Sequence, residues 1–167
     1  MKYTTSRWPE APPSGRYGLR MRSSNRVGRG EGTLVGLSNL ADELRGCEIG
    51  PVNGIIDNQR VNGSDAVQIG LANLAETQYG RRHPKKGTCG KTVQFGLLNA
   101  SDAYDFGSKQ IGMFNSRKGN GRATQLGLVN YCEMPQGYLQ LGVLNITGGK
   151  VPWYIKVVPL VRYRAGK

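Results

Sequence analysis

The stretch Gln125-Leu126-Gly127-Leu128-Val129-Asn130 decides the fold of this chain, because close copies of it recur along the sequence. The shared pattern is an apolar residue, Gly, an apolar residue or Pro, any residue, and Asn. A recurring pattern with insertions is the signature of a repeat architecture. The seven copies are VGLSN (35–39), IGPVN (49–53), IGLAN (69–73), FGLLN (95–99), IGMFN (111–115), LGLVN (126–130) and LGVLN (141–145), and a Gln stands two residues before the Gly in five of them, at Gln68, Gln94, Gln110, Gln125 and Gln140.

Alternation of residue types around each copy predicts a β-strand with one strongly apolar face. Because Gly is unfavourable inside a strand, its recurrence predicts that another backbone or side chain approaches closely at that point. We expect the apolar side chains of the repeats to be buried on one face, namely Ile69, Leu71, Phe95, Leu97, Ile111, Met113, Leu126, Leu128, Leu141 and Val143.

The sequence therefore predicts an all-β fold with three parts: an extended basic arm at 1–32, a β-repeat body at 33–146, and a capping strand with a basic tail at 147–167. Two geometries fit the repeat spacing. In a stacked β-solenoid, equivalent residues of successive coils lie above one another, which explains the strict repetition of Gln and Asn. In an antiparallel β-meander, each repeat is one strand and a turn.

Basic residues are clustered, and the net charge is +12. Residues 1–30, 80–91, 116–122 and the tail after Thr147 hold 20 of the 23 Lys and Arg residues. Clusters of this kind are typical of a polyanion-binding surface, although a solvated, solubilising surface is the alternative. The predicted polyanion-binding residues are Arg16, Arg20, Arg22, Arg26, Arg29, Arg81, Arg82, Lys85, Lys86, Lys91, Arg117, Lys118, Arg122, Arg162 and Arg164.

Catalytic and metal-binding patterns are weak in this sequence. The three cysteines are widely spaced and His83 is the single histidine, which argues against a disulfide framework and a zinc site. The Gly-Lys-Thr of residues 90–92 resembles the end of a phosphate-binding loop, but Lys85 stands where that motif needs Gly, and a strand follows instead of a helix. We therefore expect no enzyme activity, no cofactor and no metal.

The phrase Gln-apolar-Gly-apolar-x-Asn resembles the tandem repeats of bacterial surface repeat-containing proteins. The resemblance covers about residues 33–163, including an aromatic, Pro-bearing ending like Trp153–Tyr163. It implies a β-rich repeat fold without catalysis. This chain differs in its basic arm and in lacking an export signal near its first residues.

These features predict a structural or accessory subunit of a larger assembly, such as a virion or a ribonucleoprotein, with protein neighbours and a nucleic acid or another polyanion as partners. Two alternatives remain: an envelope-associated repeat protein, and a small protein that sequesters an anionic ligand. No run of about 18 apolar residues is present, so no transmembrane helix is expected. The predicted location is the cytoplasm or the inside of an assembled particle.

Overall fold

The computed structural model describes residues 15–57, 65–77, 91–102, 107–119, 122–133, 137–148 and 157–165. Within these ranges the regular secondary structure consists of β-strands, without a helix. The strands are β1 (Gly15–Met21), β2 (Ser24–Val35), β3 (Ser38–Ile49), β4 (Val52–Asp57), β5 (Ala66–Ile69), β6 (Ala72–Thr77), β7 (Lys91–Asp102), β8 (Gly107–Lys118), β9 (Ala123–Cys132), β10 (Tyr138–Thr147) and β11 (Val157–Arg164).

Parallel pairing runs through the whole series from β1 to β10, in the order β1-β2-β3-β4-β6-β7-β8-β9-β10, with β5 bridging β3 and β7. The register places equivalent repeat residues opposite each other: Gln94 faces Gln110, and Asn99 faces Asn115. Each repeat is therefore one coil of a parallel β-solenoid of about seven turns. This arrangement excludes the antiparallel meander.

Each coil is flat, with two strand segments facing each other across a narrow interior. We call them the Gln segment, which precedes the repeat Gly, and the Asn segment, which follows it. In β8, Gln110 Nε2 reaches across the interior to donate to the carbonyl oxygen of Ser116 at 2.9 Å. The repeat glycines form one edge of the solenoid, the glycine corner. The opposite edge, where Asn segments end and the next Gln segments begin, is the loop edge.

The prediction that the apolar repeat residues are buried is wrong. Nine of the ten expose 40–64% of their surface, and Leu141 is half-buried. The interior holds the repeat Gln and Asn side chains instead, with small residues such as Ala66, Ala75 and Ala123. The physical reason is the narrow interior, where short amide side chains fit and can donate to the carbonyl groups that line the coil.

The first coils lie in the stretch predicted to be an extended arm. β1 pairs with β2, and β2 pairs with β3 over its full length. The arm prediction is therefore corrected for residues 15–32, while residues 1–14 lie outside the described part of the chain. Residues 15–32 show no apolar period, and the apolar side chain that they contribute to the buried cluster of Leu34, Ala41, Leu44, Ile55 and Ala66 is that of Val27.

The final strand predicted near the C-terminus is present as β11, which pairs antiparallel with β10. Leu160, which faces Gly142 at the glycine corner, has a φ of 66°. This left-handed conformation is unfavourable for a bulky side chain. β11 thus follows the bend of the coil beneath it and caps the parallel stack.

Candidate functional site: an apolar corner face and a charged loop edge

A continuous row of asparagine amides fixes the interior beside the glycine corner. Each Nδ2 donates to the Oδ1 of the Asn in the next coil at 2.8–2.9 Å, so donation runs toward the C-terminus. Most of these amides also donate to a backbone carbonyl of the following coil, as Asn115 does to Leu126 at 3.0 Å. The row comprises Asn25, Asn39, Asn53, Asn73, Asn99, Asn115, Asn130 and Asn145.

A second row, formed by the glutamines, runs in the opposite direction. Each Gln Nε2 donates to the side chain of the preceding coil at 2.7–2.9 Å and to the backbone carbonyl six residues further along its own coil. The row ends at Glu48, whose Oε2 accepts from Gln68. Burial raises the pKa of the Glu48 carboxyl to about 8. Its position two residues before Gly50 is the sequence signal that places Glu48 in this row.

The repeat glycines are sites of close packing, as predicted. A Cβ on Gly112 would overlap the carbonyl oxygen of Gly96 and lie 2.6 Å from Asn99 Nδ2. The same arrangement recurs at Gly127, against Gly112 and Asn115. A side chain at the glycine corner would therefore push adjacent coils apart and break the Asn row.

The outer side of the glycine corner carries three rows of apolar side chains, which we call the corner face. They stand one residue before, one residue after and two residues after each repeat Gly. In the described coils these three rows contain no charged residue. The most exposed members are Leu37, Ile49, Val52, Ile69, Leu71, Phe95, Leu97, Leu98, Ile111, Met113, Phe114, Leu126, Leu128 and Val143.

Charged residues are concentrated at the loop edge, where cations and acids alternate in the first coils. Arg16 Nε lies 2.8 Å from Glu31 Oε2, and Glu31 stands opposite Arg45 in the register. Asp65 Oδ1 accepts from the backbone amide of Lys91 at 2.7 Å. In later coils, the exposed Lys118 and Arg122 lie at the two ends of the connection between β8 and β9, at this same edge.

The predicted polyanion-binding residues do not all lie on one surface. Lys91, Lys118 and Arg122 are exposed at the loop edge, as is Arg16 beside Glu31, whereas Arg20, Arg22, Arg26 and Arg29 lie in or beside β1 and β2, with Arg22 and Arg26 exposed. Arg164 is exposed in β11, and Arg162 is half-buried there, donating from Nε to Tyr138 Oη at 3.0 Å. Arg81, Arg82, Lys85 and Lys86 lie outside the described residues.

Arg117 requires a correction, because its side chain is fully buried and is not part of the surface. It stands two residues after Asn115, a position that points into the coil, and it lies between Ser101 and Cys132 of the adjacent coils. Burial lowers the pKa of its guanidinium. Sequence reasoning assigned Arg117 to the basic loop because Lys118 and Arg122 follow it closely.

Two thiols are the remaining reactive groups in the described ranges. Cys47 and Cys132 are free thiols, and burial raises the pKa of Cys132 to about 12, which disfavours the nucleophilic thiolate. No three His, Cys, Asp or Glu residues are grouped there as metal ligands would be. Among the same residues, no helix has the length and apolar character needed to span a membrane.

Comparisons of the chain with protein-family models, with curated proteins and with solved structures find no match. The resemblance to surface repeat proteins therefore stays a prediction.

Proposed function

We propose that this protein is a non-enzymatic structural subunit of a larger assembly, in which it contacts nucleic acid or another polyanion along its loop edge. One observation carries the proposal: the cross-section of the solenoid is chemically divided. The corner face is apolar and uncharged, whereas Lys91, Lys118 and Arg122 are exposed on the opposite edge. Such a division suits a subunit that docks a protein on one side and a polyanion on the other.

The distribution of charge supports the loop edge as the polyanion side. The described residues contain 13 of the 23 basic residues but 9 of the 11 acids, so they hold only +4 of the net charge. Most of the excess positive charge therefore belongs to the other segments of the chain. The most basic internal segment, 78–90, leaves from Thr77 and returns at Lys91, which are both at the loop edge.

A salt titration of binding to a generic nucleic acid tests this proposal. Two double variants remove the same charge: Lys118→Gln with Arg122→Gln at the loop edge, and Arg26→Gln with Lys109→Gln on the outer surfaces of strands. We expect the loop-edge variant to weaken binding similarly for different nucleic acid sequences. Each lost phosphate contact removes roughly 0.7–0.9 from the log–log salt slope. The strand variant should bind nearly as the parent protein does.

Further neutralisation of Arg81, Arg82, Lys85 and Lys86 should flatten the salt dependence more strongly, because these cations are the densest cluster in the chain. Absence of measurable binding at about 50 mM salt, where electrostatic contacts are strong, would contradict a polyanion contact. Equal effects of the two double variants would contradict its location at the loop edge. Tight, saturable binding of a mononucleotide would instead favour the sequestering protein.

A further inference from the structure

The corner face is large for a surface that faces water. Fourteen large apolar side chains project from it, and each exposes 39–67% of its surface. Together they present on the order of 1,000 Å² of contiguous apolar area, whereas the largest patch on a typical monomer is about 300–600 Å². A standard protein interface buries about 800 Å² on each partner. The corner face thus provides enough area for a stable dimer.

The chemistry of the corner face favours a protein occupant over a lipid surface. A protein that lies on anionic lipid surrounds its apolar face with cations. Here the three rows lack charge throughout the described coils, and the exposed Lys118 and Arg122 lie at the opposite edge. Those two cations would therefore stand far from a contact made through the corner face. Among the described residues, the exposed cation at the corner itself is Arg22, which takes the place of the repeat Gly in the first coil, at the end of the stack.

The regularity of the corner face favours a second copy of this chain. Its rows repeat with the strand spacing, about 4.8 Å, so two such faces have matching ridges and grooves. Closed homodimers use the same patch on both subunits, and a face built from repeated rows complements itself. Phe95 and Phe114, which lie in adjacent central coils, are the aromatic side chains that would anchor the contact.

We propose that two copies of this chain associate corner face to corner face about a two-fold axis. In this proposal, the protein neighbour in the assembly proposed above is a second copy of the chain. The proposal rests on the structural role of the protein but not on its contact with a polyanion. Both loop edges would then point outward, on opposite sides of the dimer. The apolar residues of the repeat motif would be buried between the subunits, which restores the burial that their composition predicts.

Sedimentation equilibrium of the full chain tests the proposal, with Leu128→Lys as the disrupting variant and Leu74→Lys as its control. Leu128 is 46% exposed on the corner face, and Leu74 is 43% exposed on the outer side of an Asn segment. Nuclease treatment and about 0.5 M salt remove any bridging by nucleic acid, since electrostatic contacts are screened there. We expect the parent protein and Leu74→Lys to be dimeric. Leu128→Lys should raise the dimer dissociation constant by about 10- to 100-fold, because each interface would bury two unpaired charges.

Thermal melts at concentrations below the dissociation constant should be the same for both variants, since both positions are exposed in the monomer. A monomeric parent protein, or an equal shift of the two variants, would overturn the dimer. Monomers that bind neutral lipid vesicles and lose this binding in Leu128→Lys would replace the second copy with a membrane. Monomers that dimerise only after deletion of residues 1–14 would show that this segment covers the face. The salt titration with nucleic acid is a separate measurement. The polyanion contact and the dimer can therefore be contradicted independently of each other.

Discussion

At the scale of single residues, the glycine corner is the most constrained part of the molecule. The coils approach so closely there that the Cβ of an alanine at Gly50, Gly112 or Gly142 would overlap the carbonyl oxygen of the preceding repeat Gly. Gly is therefore required by space between coils rather than by backbone conformation, because the repeat glycines do not have positive φ values. This explains why Gly recurs in strands that otherwise disfavour it.

Substitution of Gly112 by Ala should destabilise the protein by at least about 2 kcal/mol, because overpacking forces neighbouring backbone to move. Gly107 is a matched control in the same strand, β8: nothing lies within 4 Å of a Cβ built there. Gly107→Ala should change the free energy of unfolding by less than about 1 kcal/mol, and it can be stabilising because Ala restricts the unfolded chain. Urea denaturation of both variants is the measurement. Similar midpoints for the two would contradict close packing at the glycine corner.

At the scale of strands, the Gln row links the Gln segments from β3 to β10 and ends on a buried acid. In the folded protein, Glu48 keeps its proton until about pH 8, whereas an exposed Glu loses it near pH 4.5. Between these values the folded state binds more protons than the unfolded state. The contribution of Glu48 to stability is therefore complete below about pH 4.5 and is lost as the pH rises through 8.

Glu48→Gln should abolish this pH dependence. In the other coils, the Gln amide donates to the backbone carbonyl six residues later. The amide of a Gln at position 48 can donate in the same way to the carbonyl of Gly54. The gain in stability over the parent protein should grow with pH, by up to about 1.4 kcal/mol per pH unit between about pH 4.5 and 8. Urea denaturation across this range measures it.

Glu48→Leu is the control, since it also removes the titrating group but leaves Gln68 Nε2 without its side-chain acceptor. This variant should be pH-independent relative to Glu48→Gln and less stable than it throughout. A constant difference between the parent protein and Glu48→Gln at all pH values would contradict the raised pKa.

The strands also show how far sequence reasoning reaches. The repeats predict the all-β class and the close packing of the glycines, because stacking places identical residues opposite each other, whereas the final strand is predicted from the apolar stretch that follows the repeats. The interior was assigned to the wrong side chains, since apolar residues usually mark the inside of a strand. Strict repetition was the better signal: Gln94 and Asn99 recur unchanged in later coils, while the outward position varies between Phe95, Ile111 and Leu126.

The charged surface was predicted less well than the fold. Clustering along the sequence groups Arg117 with Lys118, but adjacent residues in a strand point to opposite sides, so one is buried and the other exposed. The sequence does not show residues 15–32 to be part of the sheet, because they lack the repeat motif and place one apolar side chain, Val27, in the buried cluster. Whether such a side chain points into the coil or toward solvent depends on its position relative to the glycine corner.

At the scale of the whole molecule, the described strands form a one-dimensional stack in which each coil pairs with the coils next to it. Stability in such a stack is approximately a sum over coils and the interfaces between them. Terminal coils have one interface and central coils have two. Within the described residues β1 pairs with β2 alone, whereas β8 pairs with both β7 and β9 along most of its length.

Native-state hydrogen exchange should therefore show a gradient along the stack. Amides of β7, β8 and β9 should be the most protected, and those of β1 should exchange fastest among the parallel strands, because an end coil opens without disrupting the rest. Mass spectrometry of peptides from each strand gives the measurement. Equal protection of β1 and β8 would show that the stack opens as a single unit.

The two amide rows have an electrical consequence for the length of the stack. Asn amides donate toward the C-terminus and Gln amides toward the N-terminus, so the dipole that one row gains with each coil is opposed by the other. A single polarised row would accumulate a field as it lengthened, as an α-helix does. With opposed rows, a coil can be duplicated or deleted without adding net polarisation, and only the terminal side chains, such as Glu48, must adapt to the new end.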